Sequence, residues 1–400
     1  MRSSAFLYPW DVLGDPDAPD RLADLGLDGV TLASAYHSTR ALTPRHPRTR
    51  IVTAPYAAVY YPPSAQHWAG AALRPHRQEW LDGADPWGEA AERLRAAGLE
   101  VASWVVLAHN SRLGGENPDS TVRNAYGDRY PWALCVARPE VVAYCAALAA
   151  EAGARPGAVG TELESCGWYG MAHLHAHDKI GGVPLDGAAQ YLMSLCFCGV
   201  CSAAYRAAGV PELDVAVRAA LAPVWAGTAA PAGPGAAGEW AGVERLLGAD
   251  LAAFTLDHRR ERARAVQGAC VAAVRAAAAA GAGAVGSAGS GFRVLLHADP
   301  ASHRVGANVG VEAEWLLAPD GGGADGLVLP CAGSTAALDT APRLPGRTLA
   351  ANLTVVAGMG GDPAAPVPAG ADELRLYHAG LASDADLAVL RGRLGGREGA

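Results

Sequence analysis

Chemistry in this 400-residue chain is concentrated between Ala158 and Arg206. The stretch opens with AVGTELES, carrying Glu162 and Glu164, runs through GWYGMAHLHAHDK with His173, His175 and His177, and closes on CFCGVCSAAYR. Side chains at i and i+2 of a strand face the same way, so the two glutamates share one face. Carboxylates paired in this manner separate in proton affinity and supply an acid together with a base or nucleophile at neutral pH. A plainer reading, expected to hold for one of the two, makes it a buried orienting group held by an arginine.

Cys196, Cys198 and Cys201 form C-x-C-x-x-C, and Cys135 precedes a helix earlier in the chain. Four thiolates from two loops suit a closed, structural zinc site, since soft sulfur favours zinc over magnesium or calcium. The competing reading, cysteines that merely pack, needs three thiols within six residues to coincide. The H-x-H-x-H-D run at 173–178 would converge on a metal if extended, so a metal-dependent hydrolase built on His173, His175 and His177 is one alternative. The preferred reading puts these histidines on a substrate loop as hydrogen-bonding groups, with Trp168 and Tyr169 stacking on a sugar face or packing the loop down.

These groups need a scaffold that brings distant strand ends together. Short apolar runs bounded by Gly, Pro or Asp recur near Ser4–Pro9, Gly29–Ser38, Val101–Asn110, Ala158–Ser165, Gly291–Asp299, Asp325–Cys331, Arg347–Gly358 and Asp372–Gly380, with helical patterns between them. Eight strands alternating with helices predict an α/β fold, a (β/α)₈ TIM barrel with rim insertions that occupies 1–400 as a single domain. Catalytic groups in such a barrel collect at the C-terminal ends of the strands. That rule nominates Asp11, His37, Arg40, His109, Asn110 and His378, together with Trp168, His173 and His177, as substrate-binding residues. It also brings Asp299 forward as a second carboxylate, set against its alternative as a helix cap. Tyr377 lines the pocket or belongs to the core. RTRIVTAPYAAVYYPP reads as a rim excursion, a long helix is expected from about Glu244 to Ala280, and AGTAAPAGPGAAG at 226–238 reads as a flexible low-complexity insertion.

Composition bounds the function. With 50% hydrophobic and 18% charged residues the chain can bury a sizeable core, and a net charge of −8 without a basic run excludes a phosphate-neutralising, nucleic-acid-binding role. The first apolar run is too brief for a secretory leader, and the alanine-rich tract near 263–289 is broken by Arg264 and Arg275, so no membrane partner is expected. Cysteines clustered at short spacing without a secretion signal suit a reducing compartment, which makes cytoplasm the expected location. A homo-oligomer is compatible with the sequence.

CFCGVCSAAYR resembles the zinc-cysteine segment of glycoside hydrolase family 42 β-galactosidases, and RYPWALCVARPEVVAY resembles the stretch of that family supplying a fourth cysteine ligand. The resemblance implies a glycoside-hydrolase-like barrel, a carbohydrate substrate, and structural Zn²⁺ on Cys135, Cys196, Cys198 and Cys201. Two departures matter. The family carries an Asn-Glu pair where this chain has Leu163-Glu164-Ser165, and its nucleophilic glutamate at the seventh strand is replaced by NLTVVAGMGG, with no carboxylate before Asp362. β-Galactosidase activity is therefore not expected. The reading is a glycosidase with Glu164 as general acid and Glu162 or Asp299 as partner. A non-catalytic carbohydrate-binding barrel that has lost its nucleophile is the other alternative.

Overall fold

The computed structural model describes residues 1–171, 178–282 and 291–395. Its frame is eight parallel strands: β1 (Arg2–Leu7), β2 (Gly29–Tyr36), β3 (Glu100–Val106), β4 (Gly160–Glu164), β5 (Arg293–Asp299), β6 (Gly326–Pro330), β7 (Thr348–Thr354) and β8 (Glu373–Tyr377). Each pairs with its neighbours in the chain, and β1 pairs with both β2 and β8, so the sheet closes on itself. This is a (β/α)₈ barrel. The strands read as near-continuous apolar runs because a closed parallel sheet is covered on both faces; all eight residues of GVTLASAY are buried.

An aspartate just ahead of a strand recurs as a register device at the lower end. Asp28 accepts the Ser3 N–H at 2.7 Å, Asp325 the Val294 N–H at 2.8 Å and Asp372 the Leu349 N–H at 2.8 Å, each from an adjacent strand. The barrel interior alternates with period two. Leu295, Val328 and Ala350 form one apolar cluster inside, while Ser4 meets Thr31, Phe6 meets Trp104 and His297 approaches Glu162. One irregularity matters for function: the register of β2 against β3 slips between Ala33 and Ala35. The extra residue reverses the alternation, so Tyr36 meets the interior residue Trp104, with ring centroids 4.4 Å apart.

Helices cover the outside. Pro86–Ala96 shows why they start where they do: Asp85 accepts the Gly88 N–H at 2.9 Å and Pro86 occupies the first turn. Its buried face includes Trp87, Ala90, Ala91 and Leu94, and the Trp87 indole donates to the Leu32 carbonyl on β2 at 3.2 Å. The rim excursion is a hairpin of Thr39–Leu42 with Ile51–Ala54, so it begins nine residues ahead of the RTRIVTAPYAAVYYPP stretch that opens at Arg48.

Two helical boundaries differ from expectation. The long helix is two, Gly235–Leu247 and Ala249–Ala282, because Gly248 adopts φ 86°, outside the helical range. The first of these takes up the last four residues of the low-complexity segment at 226–238. Within the remainder, Ala232 N–H donates to Asp186 at 2.6 Å and the Ala230 carbonyl accepts from Arg245 at 2.8 Å. Side chains from neighbouring elements thus supply hydrogen bonds that alanine, glycine and proline cannot. Among the described residues no helix is long and apolar enough to cross a membrane.

Candidate active site

Glu162 and Glu164 both point into the barrel, but they stand in different surroundings. Glu162 is in the lower half, where Arg375 Nε donates to its Oε1 at 2.5 Å and the His297 Nε2 lies 3.4 Å from Oε2. Arg375 also donates to Glu373 at 2.9 Å, and Glu373 in turn meets Arg293 at 2.8 Å, which makes a chain of alternating charge across β4, β8 and β5. Burial works against the charge on Glu162, and Arg375 beside it more than offsets this, with help from His297, holding the carboxyl at about 2. Glu162 is therefore ionised, with Oε1 held by Arg375, which leaves no proton to donate.

Glu164, the last residue of β4, is buried at the C-terminal mouth. Trp104 Nε1 donates to its Oε2 at 2.8 Å. Around this carboxylate is a collar of rings: the Tyr36 and Tyr377 hydroxyls are 3.5 Å apart, Tyr36 packs on His37 at 4.1 Å, His37 reaches His109 at 4.9 Å, and His109 stacks on Tyr169 at 4.4 Å. Burial followed by the charge of Glu164 pushes Tyr377 up to about 12 and raises Tyr169 too. Burial lowers His37 despite Glu164 nearby. The carboxylate is thus ringed by neutral hydrogen-bonding groups. His378, next to Tyr377, lies 3.2 Å from the Tyr8 hydroxyl, and burial depresses it to about 3.

Other residues expected in the site have different employment. Asn110 Oδ1 accepts the Leu113 N–H at 2.9 Å and its amide faces the Tyr144 hydroxyl at 3.5 Å, so it caps a helix. Trp168 donates its indole N–H to the Arg259 carbonyl at 3.0 Å and packs away from the collar; its neighbour Tyr169 meets His109 instead. Asp11 accepts the Tyr8 N–H at 2.8 Å, under a close approach in which a Cβ at Gly380 would lie 2.3 Å from its Oδ2. Burial raises Asp11 to about 7. Arg40 is exposed on the rim hairpin. Asp299 faces inward by alternation from Leu295 and His297, accepts the Ala301 N–H at 2.8 Å and lies 3.7 Å from Arg304. No helix follows Asp299, so it caps a turn and not the helix that its alternative reading expected. His173, His175 and His177 lie outside the described residues.

Cys135, Cys196, Cys198 and Cys201 are buried with their sulfurs all within 4.8 Å of one another. Cys135 follows the hairpin strand Arg129–Leu134, and the other three bracket the start of helix Gly199–Ala207, where backbone N–H groups favour thiolate. The Cys135 sulfur is 3.7 Å from those of Cys198 and Cys201. A regular tetrahedron of thiolates about 2.3 Å from a central zinc has sulfurs about 3.8 Å apart. The donor set and its spacing fit zinc. Hydrogen bonds with the other three thiols drive the proton affinity of Cys198 down and push that of Cys135 up.

Sequence reasoning missed Tyr8, Trp104, His297, Arg259 and Arg375. Trp104 and Arg375 carry a usable signal, their parity with other inward positions on β3 and β8. Arg259 carries none, because it sits on an outer helix.

No family model matches the chain, and neither does any curated protein. Among solved structures it matches α-L-fucosidase isoenzyme 2 from Paenibacillus thiaminolyticus with a TM-score of 0.54 and 13% identity, over 100% of this chain and 49% of that one. The chain spans about half the length of that fucosidase. It matches the PgaB (BpsB) glycoside hydrolase domain from Bordetella bronchiseptica with a TM-score of 0.51 and 14% identity, over 98% of both chains. A β-galactosidase from Rahnella sp. R3 aligns more loosely, with a TM-score of 0.39 and 14% identity over 82% of this chain and 39% of that one. At these identities the likeness to the first two shows the barrel fold and leaves activity to the site.

Proposed function

We propose that the protein is a glycosidase acting on a neutral sugar, with Glu164 as general acid and a structural zinc on the four clustered cysteines. The observation that carries the reading is Glu164 itself, a buried carboxylate at the barrel mouth inside a collar of phenol, indole and imidazole. Rings of that kind stack on sugar faces while their polar tips bind hydroxyls. Two solved barrels of this fold, a fucosidase and a glycoside hydrolase domain, support a carbohydrate as substrate.

In this reading Glu164 protonates the departing glycosidic oxygen, and Asp299 on the adjacent β5 supports the oxocarbenium-like centre or activates water. Glu162 touches neither, because Arg375 and His297 hold it below. Tyr36 and Tyr377 stay neutral and orient sugar hydroxyls. The zinc has four protein ligands and no open position, so it fixes the loops around Cys135 and Cys196 and takes no part in bond cleavage. A panel of neutral aryl glycosides tests the reading. Turnover of at least one member is expected, and it should vanish in Glu164→Gln for substrates with poor leaving groups. A parent protein that turns over none of them, or an unaffected variant, overturns it.

A non-catalytic carbohydrate-binding barrel is favoured by one observation: β7 ends at Thr354 with no carboxylate, and Asp362 beyond it is an exposed turn residue accepting the Ala364 N–H at 2.8 Å. Sugar binding without turnover would decide for it.

A further inference from the structure

Arg259 belongs to the long helix Ala249–Ala282 and is 2% exposed. One guanidinium nitrogen donates to the Ser194 carbonyl at 2.5 Å, but Nε and the other terminal nitrogen have no hydrogen-bond partner among the described residues. The group lies over the rings of Tyr191, at 4.4 Å, and Trp168, at 5.6 Å. It forms no ion pair with a carboxylate among the described residues, although a cation taken out of water needs a counter-charge worth several kcal/mol by the usual desolvation estimate. Burial lowers its proton affinity, and Tyr191, Tyr205, Cys196 and Cys201 nearby act in the opposite direction. Tyr205, on the helix Gly199–Ala207, donates to the Cys196 carbonyl at 3.0 Å.

Charge balance then gives the arrangement a meaning. Four thiolates around a divalent cation carry a net charge of −2 in a buried site. Arg138, which hydrogen-bonds Cys198, is already paired with Glu140 at 2.5 Å and contributes little net charge. Arg259 has no such partner. We propose that Arg259 is the counter-cation of a loaded tetrathiolate site, a positioning and charge-balancing residue beside the loop that carries Cys196, Cys198 and Cys201. The inference rests on the zinc reading above. It also explains why a guanidinium sits on an outer helix facing inward: the same side chain holds the Ser194 carbonyl, two residues before Cys196, and its backbone carbonyl holds Trp168 in the loop after β4. Partners of this outer kind set the affinity of metal sites without ligating the metal.

The test uses full-length protein purified without chelator. Zinc content of the parent is measured first; a parent without zinc overturns the zinc reading, and this proposal with it. Zinc affinity is then measured by competition with a chromophoric chelator. Arg259→Met keeps the volume and removes the charge, and should weaken zinc binding about 10- to 100-fold. Arg259→Lys keeps the charge, loses the planar fork, and should stay within about tenfold of the parent and above the Met variant. With cobalt in place of zinc, the thiolate-to-cobalt absorption should move to lower energy in Arg259→Met, because a nearby cation stabilises sulfur electrons; a purely packing role would leave that band in place. A folded Arg259→Met variant that holds zinc as tightly as the parent with an unmoved cobalt band overturns the proposal. Should the Met variant not fold, a folded Lys variant that retains zinc supports the proposal, and one that has lost it overturns it.

Discussion

Glu162 and Glu164 are two residues apart on one strand and one face, yet the barrel gives them opposite fates. The lower position is surrounded by charge. Arg375, Glu373, Arg293 and His297 form a lattice in which every carboxylate has a cation. The upper position is surrounded by neutral rings, with a single indole donor. A side chain enclosed in charge is fixed in one protonation state, and on the proposed reading the one among neutral donors and aromatic faces is the group that meets the ligand. One pleat of the strand separates the two surroundings.

The largest test of this contrast is kinetic. Glu164→Gln should lower turnover of an unactivated glycoside by about 10²- to 10⁴-fold, with a much smaller loss for an aryl glycoside whose leaving group needs no proton. Glu162→Gln should leave the ratio of the two substrates unchanged and act through stability. If Glu162→Gln instead separates the two substrates and Glu164→Gln does not, the assignment of the two positions is reversed.

Second in size is the lattice itself. Arg375→Met leaves Glu162 and Glu373 buried without their shared cation and should destabilise the fold by about 3–5 kcal/mol, whereas joint apolar replacement of Glu162 and Arg375 should recover much of the loss. The pH dependence gives an independent check. Glu162 is held at about 2 against an ordinary 4.5, so its contribution is fully present above 4.5 and is lost as pH falls toward 2. Chemical denaturation between those values should show the parent losing stability with acid and Arg375→Met losing much less over the same interval.

How far the sequence foretells this contrast depends on which residues are considered. All eight barrel strands are legible, because each is a short apolar run between Gly, Pro or Asp, and alternation alone puts both glutamates inside. The cysteine cluster is legible because its spacing is local. The charge lattice is not, since Arg375 lies 213 positions from Glu162 and meets it only when the sheet closes. Tyr36 is hidden for a different reason: strict alternation from Thr31 brings Ala35 inward, and the slip between Ala33 and Ala35 substitutes its neighbour. Asn110 takes a local partner, the Leu113 N–H, and Trp168 a distant one, the Arg259 carbonyl 91 positions away, and composition reveals neither.

Asp11 extends the comparison to a carboxylate with burial but no cation in hydrogen-bond contact. Its folded value is raised from 3.8 to about 7, so the fold favours the protonated form, and a penalty grows as pH rises from about 4 and is complete above 7. Asp11→Asn keeps an acceptor for the Tyr8 N–H. It should be near neutral at pH 4 and more stable than the parent by about 2–4 kcal/mol at pH 8. Equal stability differences at both values would show that Asp11 is ionised in the fold throughout.

The smallest expected effect lies between the two environments, at the residue that turns the chain after Glu164. Ser165 has φ 54°, the left-handed region that non-glycine residues avoid, and its buried hydroxyl has no hydrogen-bond partner. The conformation is imposed by its flanks: Ser165 N–H donates to the Ala307 carbonyl at 3.0 Å, its own carbonyl accepts from Ala108 at 3.1 Å, and the Glu164 carbonyl accepts from Leu107 at 3.0 Å. Left-handed backbone costs a residue with a Cβ about 1–2 kcal/mol, and glycine avoids this while losing more entropy on folding. Ser165→Gly should therefore change stability by under about 1 kcal/mol in either direction. What it should change is the aim of Glu164, because a freer residue at the turn lets the carboxylate leave its contact with the Trp104 indole. Turnover of the unactivated glycoside is expected to fall a few-fold with binding little altered, while Trp104→Phe, which removes the donor directly, should fall further. If Ser165→Gly and Trp104→Phe both leave turnover untouched, the collar is holding the sugar alone and Glu164 needs no aiming.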